Sequence, residues 1–359
     1  GSPEVEKLLR GRSVAVDAAV WFYEAQLQPD LAQAYGPAGA VLKVTFDRCA
    51  RWLRSGVLPI VVLEGSGGGR GDRFFAREGR GALGAAFAAQ PRVRALLAAL
   101  GVPFVDADGE AEAACAALAQ ASACDFVATT DFDALLFGAP AVLRGLDLRA
   151  DGRSECEVWE AAGVREAAGL DRDGLICAAF LSGCDYDRRA QGGQAAPKAA
   201  SSREGAGVRG IGVRRAMSIA RALHEVGQGD PVAALYAALA DGPLPAAADA
   251  SVARTLQQGL DLARREPRCI EGFEAVVRRY RRCGPSATVA ARIRQGFAWA
   301  GVDEGAAVEV LSQVYPMRAS AKLLPLHFEW ALRRLASDRP AAAMTAAEER
   351  RRWAASRGP

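Results

Sequence analysis

The stretch VATTDFDALLF (127–137) ends an apolar run in two aspartates, Asp131 and Asp133, with one residue between them. Two other apolar runs finish in an acid: VAVD (14–17) in Asp17 and LPIVVLE (58–64) in Glu64. DGEAEAACAAL (108–118) opens a helical pattern with Glu110 and Glu112, and the apolar helix GLICAAFLSGCDY (174–186) ends in Asp185. A single acid at a strand end is ordinary turn chemistry, and acids in a first helical turn favour the helix dipole. Three strand ends with acids, and the further acids beside them, are harder to explain as caps. In extended chain, Asp131 and Asp133 point to one side. Carboxylates gathered in one place repel, and they either raise one another's pKa values or recruit cations. Oxygen ligands without His or Cys select hard ions such as Mg²⁺ or Mn²⁺, and the only two histidines, His224 and His327, lie far along the chain. Two such ions about 3.5–4 Å apart activate a water and stabilise the leaving oxygen of a phosphodiester.

These acids need a scaffold that brings strand ends together. VAVD, LPIVVLE, GVPFVDA (101–107), DFVATTD (125–131) and PAVLRGL (140–146) read as strands. Between them, AAVWFYEAQ, VLKVTFDRCARWLRSG and PRVRALLAALG carry helical periodicity, the last stopped by Gly101. The alternation predicts an α/β fold: a mostly parallel twisted sheet flanked by helices. Sites in such sheets lie outside the carboxyl ends of the strands, where three of these strands deliver an acid.

The 359 residues are half hydrophobic, enough for one large core or two modest ones. No apolar signal segment opens the chain and no run is long enough to span a bilayer, so the expectation is a soluble, intracellular protein without a membrane partner. Eight cysteines follow no CxxC spacing, and Cys115, Cys177 and Cys184 sit in apolar helical stretches; they read as buried thiols rather than disulfides or zinc ligands. Setting the seven acids aside raises the formal net charge from +3 to +10. An acidic site in a basic body suits a nuclease, whose basic surface holds the phosphate backbone.

GVRGIGVRRAMSIARAL (207–223) adds a second device. Gly210 and Gly212 fall in a tight turn between helices, where glycine allows φ > 0 and close approach of a phosphate to the next helix's N–H groups. This is a helix-hairpin-helix pattern. Arg209, Arg214 and Arg215 read either as phosphate contacts or as solvated helix arginines. Arg70, Arg73, Arg77 and Arg80 fall near helical spacing, offering one basic face or simply a solvated one. Trp21 and Phe22 read as core; Tyr23, six residues beyond Asp17, is a base-stacking residue or a packing one.

On these motifs the chain resembles the flap endonuclease/XPG-type structure-specific 5′ nucleases. VAVDAAVWFYEAQ, VLEG, GEAEA, TTDFDALLFGA and LSGCDY…GVRGIG occur in the family's order across roughly residues 8–226. Within the family the chain is most similar to the GEN-type Holliday-junction resolvases, on WFYEAQ (21–26), the glutamate of VLEG and GDRFFAREG (71–79). The resemblance implies a PIN-like nuclease core and a metal-dependent endonuclease that cuts DNA at branch points and leaves a 5′ phosphate. It implies two Mg²⁺ per site, with Mn²⁺ as a substitute, held by all seven acids, and a monovalent cation at the helix-hairpin-helix. Implied partners are four-way junctions, 5′ flaps and forks; the protein is expected to be nuclear, monomeric alone and dimeric on a junction. The alternative within the family is a flap endonuclease or 5′ exonuclease.

The expected organisation is a nuclease core over 1–226, with a polar insertion at 187–206, a mostly helical extension over 227–340 and a tail over 341–359. Where the family opens with Met-Gly and an apolar segment, this chain reads GSPEVEKLLRGRSVAVD, so Gly1-Ser2 looks like a cloning scar on a shortened N-terminus. Nothing resembles the chromodomain that often follows in GEN-type proteins, and the chain is expected to stop short of one. Glu64 and Glu110 are only 46 positions apart, too few for a full threading arch. Two readings from other classes compete. A haloacid-dehalogenase-type phosphatase also uses DxD, but on an early strand followed by Thr or Val, whereas Ala134-Leu135 follow here. A catalytically inactive DNA-binding scaffold predicts lost metal acids, yet all seven positions are filled.

Overall fold

A computed structural model describes residues 3–65, 88–148, 154–184, 186, 207–240, 249–266, 269–281, 284–297, 300, 302–312 and 314. The chain divides into two compact units: one of residues 1–135, 139–159 and 284–359, the other of 136–138 and 160–283.

The first unit is built on a six-stranded sheet of β1 (Ser13–Asp17), β2 (Leu58–Leu63), β3 (Phe104–Asp106), β4 (Phe126–Ala128), β5 (Ala141–Asp147) and β6 (Glu155–Glu160), in the order 3-2-1-4-5-6. The pairs β1–β2, β2–β3, β1–β4 and β4–β5 are all parallel. Val14, Ala15, Val16, Ile60, Val61, Val62 and Leu63 are buried, which is why these strands read as unbroken apolar runs. The chain leaves β1 for β2 on one side and later returns to add β4 on the other. The crevice between the carboxyl ends of β1 and β4 is therefore the topological switch point, the place where such sheets bind ligands.

Helix α1 (Pro3–Leu9) precedes β1, and α2 (Ala18–Gln26), α3 (Pro29–Arg54), α4 (Gln90–Ala99), α5 (Ala111–Gln120) and the single turn α6 (Asp133–Leu136) lie between successive strands from β1 to β5. Gly36, at φ 71°, breaks α3 immediately before Pro37, as a proline that lacks its N–H requires. Trp21 and Phe22 are buried as expected, Trp21 edge-on to Trp52 at 5.7 Å, while Tyr23 keeps 42% of its surface exposed. Arg48 on α3 donates to both oxygens of Glu24 on α2, at 2.9 and 2.7 Å, and to Asp147 at the end of β5, at 2.7 Å. This forked bonding is what arginine's planar group provides.

The second unit is helical: α7 (Ala161–Ala168), α8 (Arg172–Ser182), α9 (Val213–Val226), α10 (Pro231–Leu239), α11 (Ala250–Arg264) and α12 (Cys269–Arg281). Ile219, Leu223, Leu256, Leu260 and Phe273 lie in its interior. The chain then re-enters the first unit with α13 (Ala287–Gln295) and α14 (Glu304–Ser312). The Asp303 N–H donates to the Ala99 carbonyl at 2.8 Å, and the Thr288 hydroxyl to Asp108 at 2.9 Å. Among the described residues no cysteine forms a disulfide and no helix is long and apolar enough to cross a membrane.

Candidate metal centre

Asp17 closes β1, is buried, and caps α2 by accepting the Ala19 N–H at 2.9 Å. Glu64 follows β2 and accepts the Ala111 N–H at 3.0 Å, so it caps α5 from another part of the chain. The next residue, Gly65, donates to the Gly109 carbonyl at 3.0 Å. A Cβ on Gly65 would stand 1.7 Å from the Ala107 carbonyl oxygen, so only glycine lets these two acid-bearing loops meet. Glu110 occupies the N-cap position of α5 without making the capping bond, and Glu112 sits in the helix's first turn.

Asp131 and Asp133 meet in a way the sequence did not suggest. The strand stops at Ala128 and Asp133 already begins α6, so the pair is not in extended chain. Instead the Asp131 N–H donates to the Thr129 hydroxyl at 3.2 Å, and the Asp133 N–H donates to Asp131 Oδ1 at 3.1 Å. This tight turn, not strand alternation, brings both carboxylates to one side. One oxygen each of Glu112, Asp131 and Asp133 lie within 4.8 Å of one another.

The electrostatics show what such a gathering costs. Burial, followed by the charges of Asp17, Asp131, Asp133 and Glu110, pushes the Glu112 carboxyl up to about 10. Burial is also the main cause that raises Asp17 to about 6; the Ala19 N–H opposes it, and Asp131 and Glu110 add to it. The field reaches the buried Cys115 thiol, which is raised well above its ordinary value by burial first, then by Asp17, Cys124, Glu112 and Glu64. Without a cation Glu112 keeps its proton at neutral pH. A hard divalent ion matches the all-oxygen donor set and removes the repulsion.

Asp185 lies outside the described residues; α8 stops earlier, at Ser182, where Gly183 takes φ 108°. Arg70, Arg73, Arg77 and Arg80, and the 187–206 insertion, are also outside them. In the second unit Gly210 has φ 84°, as a tight turn requires, whereas Gly212 is extended at φ −87°. Gly212 is the N-cap of α9, and a Cβ there would meet nothing within 4 Å. Arg209 and Arg214 are exposed and Arg215 is half-buried. The Arg209 backbone N–H donates to Glu266 at 3.0 Å.

Residues 101–185, which contain Glu110, Glu112, Asp131, Asp133 and Asp185, match the family model described as the XPG I-region. Over these residues the chain is similar to the XPG-type family. Flap endonuclease GEN-like 1 of Arabidopsis thaliana is 30% identical over 239 residues, which cover 60% of this chain and 36% of that protein. Flap endonuclease 1-B of Oryza sativa is 45% identical over 105 residues, 29% of this chain and 26% of the relative. The chain thus spans a quarter to just over a third of the length of these two curated relatives. Among solved structures, human GEN1 in complex with Holliday junction DNA matches 92% of this chain and 75% of its own, with a TM-score of 0.63 and 22% identity. The catalytic core of Rad2 in complex with DNA matches 89% and 92%, with a TM-score of 0.56 and 20% identity. These likenesses show a shared fold.

Proposed function

We propose that this chain is a metal-dependent, structure-specific DNA endonuclease that cuts at branch points: a Holliday-junction resolvase that also cuts 5′ flaps. The observation that carries this reading is the cluster of Glu112, Asp131 and Asp133, with buried Asp17 beside it in the electrostatics, at the carboxyl ends of parallel strands. The donors fit Mg²⁺ or Mn²⁺, because all are carboxylate oxygens, and burial followed by the neighbouring carboxylates raises the pKa values of Glu112 and Asp17, which a bound cation would offset. Glu112, Asp131 and Asp133 would hold the metal, with Asp17, Glu64, Glu110 and Asp185 completing a two-ion site. When bound, the metal supplies Lewis-acid polarisation of a phosphodiester and a water activated near neutral pH. Asp17 and Glu64 also act on the backbone, since by capping α2 and α5 they hold the helices that present Tyr23 and Glu112. In the second unit, Gly210 and Gly212 open the N-terminus of α9 to duplex phosphates, with Arg209, Arg214 and Arg215 as basic neighbours and a monovalent cation at the hairpin. Tyr23 offers an exposed ring for stacking. The protein is read as nuclear, and as a monomer that pairs on a junction.

The test is incubation of the protein with end-labelled 5′ flap, replication-fork, four-way-junction and linear duplex DNA, in Mg²⁺ and with chelator. Cleavage confined to branched substrates, abolished by chelation and leaving 5′ phosphates, is the expected result. Cleavage of flaps alone would favour the flap-endonuclease reading, which the 45% identity to the rice relative keeps in view. Tight junction binding without any cut in Mg²⁺ or Mn²⁺ would make the protein a scaffold instead.

A further inference from the structure

The ring between the paired aspartates has its own partner. While the carboxylates of Asp131 and Asp133 gather with Glu112, Phe132 packs against Trp159, with ring centroids 5.7 Å apart at 67°. Trp159 stands near the end of β6, the edge strand beyond β5. It is held there from the adjacent strand: the Arg144 guanidinium lies 5.1 Å from its ring centroid and also pairs with Glu157 of β6 at 3.5 Å.

We infer that Trp159 is a positioning residue for the Asp131–Asp133 pair, acting through Phe132; the role rests on the reading of those aspartates as metal ligands. The physical need is plain. Three carboxylate oxygens within 4.8 Å drive one another apart until a cation arrives. The turn that carries two of them is closed by short local bonds, from Asp133 N–H to Asp131, from Asp131 N–H to Thr129 and from Leu135 N–H to the Phe132 carbonyl. Phe132 is the one side chain of the Asp131–Asp133 triplet that can anchor the turn by packing, and an edge-to-face aromatic pair fixes direction as well as distance. A ligand set displaced by even about 0.5 Å binds and orients a metal poorly. β6 is otherwise a sparsely buried edge strand, and this contact ties it to the site.

The experiment uses the full chain with Mn²⁺ as the probe. Mn²⁺ affinity by calorimetry, amide exchange at Asp133, and kcat and KM on a labelled 5′ flap are compared for wild type, Trp159→Ala, Trp159→Phe and Phe132→Leu. Trp159→Ala should weaken Mn²⁺ binding by about 3–10-fold and lower kcat by a similar factor. Exchange at Asp133 should quicken and KM for DNA should stay within about twofold. Trp159→Phe, which keeps an aromatic face, should recover most of the loss. If Trp159→Ala loses its native circular dichroism, Phe132→Leu, which keeps bulk but not the aromatic pair, carries the test with the same expectations. Unchanged Mn²⁺ affinity together with a KM raised tenfold would overturn the inference and make Trp159 a surface for a DNA base. Wild-type protein that cuts no branched DNA, yet binds Mn²⁺ with this dependence on Trp159, would sink the nuclease reading while supporting the positioning role.

Discussion

At the scale of single residues, the centre is a set of acids kept close against their own repulsion. Glu112 shows the consequence most sharply. Its carboxyl is raised from an ordinary 4.5 to about 10, so in the metal-free protein it adds stability below about pH 4.5 that is lost as pH rises toward 10. Glu112→Gln should therefore raise the melting temperature of metal-free protein at pH 8 by several degrees, about 2–4 °C for each kcal/mol recovered. The gain should shrink at pH 5 and vanish in saturating Mg²⁺; a variant that melts lower than wild type at pH 8 without metal would contradict it. The acids themselves were legible, because an apolar run that ends in a carboxylate marks both a strand and its carboxyl end. Their geometry was not. Nothing local to Glu64 shows that it caps a helix 47 residues later, and the alternation of side chains in extended chain misdescribes a pair that a hydrogen-bonded turn brings together.

At the scale of elements, the glycines of the hairpin divide their work. Gly210 serves the fold: any other residue at φ 84° costs about 1–2 kcal/mol, so Gly210→Ala should lower stability in a denaturant titration by that amount. Gly212 has ordinary φ and open space around it, so the protein itself tolerates a side chain there and only an incoming backbone would meet it. Gly212→Val should keep the native fold, with no more than the loss of about 1 kcal/mol expected for a poor N-cap. It should weaken binding to every duplex-containing DNA alike, checked by fluorescence anisotropy on duplexes of unrelated sequence; a loss confined to one sequence would assign the hairpin a different role. The first five strands were readable because buried parallel strands are unbroken apolar runs. β6, ECEVWE, escaped notice because its alternating acids resemble a solvated loop until β5 pairs with it. The break in α3 at Gly36-Pro37 carried a visible signal, whereas the early end of α8 depends on the backbone at Gly183.

At the scale of the whole molecule, the first unit is discontinuous: α13 and α14 join it after the entire second unit has intervened. Bonds such as Asp303 to Ala99 and Thr288 to Asp108 span some 180–200 positions, and no local pattern announces them. The proposed reaction also reaches beyond one chain. Resolving a four-way junction takes two cuts on opposed strands, and one acidic cluster makes one. A cruciform plasmid should therefore be linearised by two protomers within one complex's lifetime, while single 5′ flaps need only one. Nicked product alone at saturating protein, beside efficient flap cutting, would favour the flap nuclease. The most direct measurement is Asp131→Asn on a labelled four-way junction in Mg²⁺, with binding and cleavage followed in parallel. The variant should bind the junction at least as tightly as wild type, having shed a negative charge, and cut at least about 100-fold more slowly, the scale of losing one transition-state charge stabiliser. Turnover equal to wild type would contradict the assignment of the acidic cluster as the catalytic metal site.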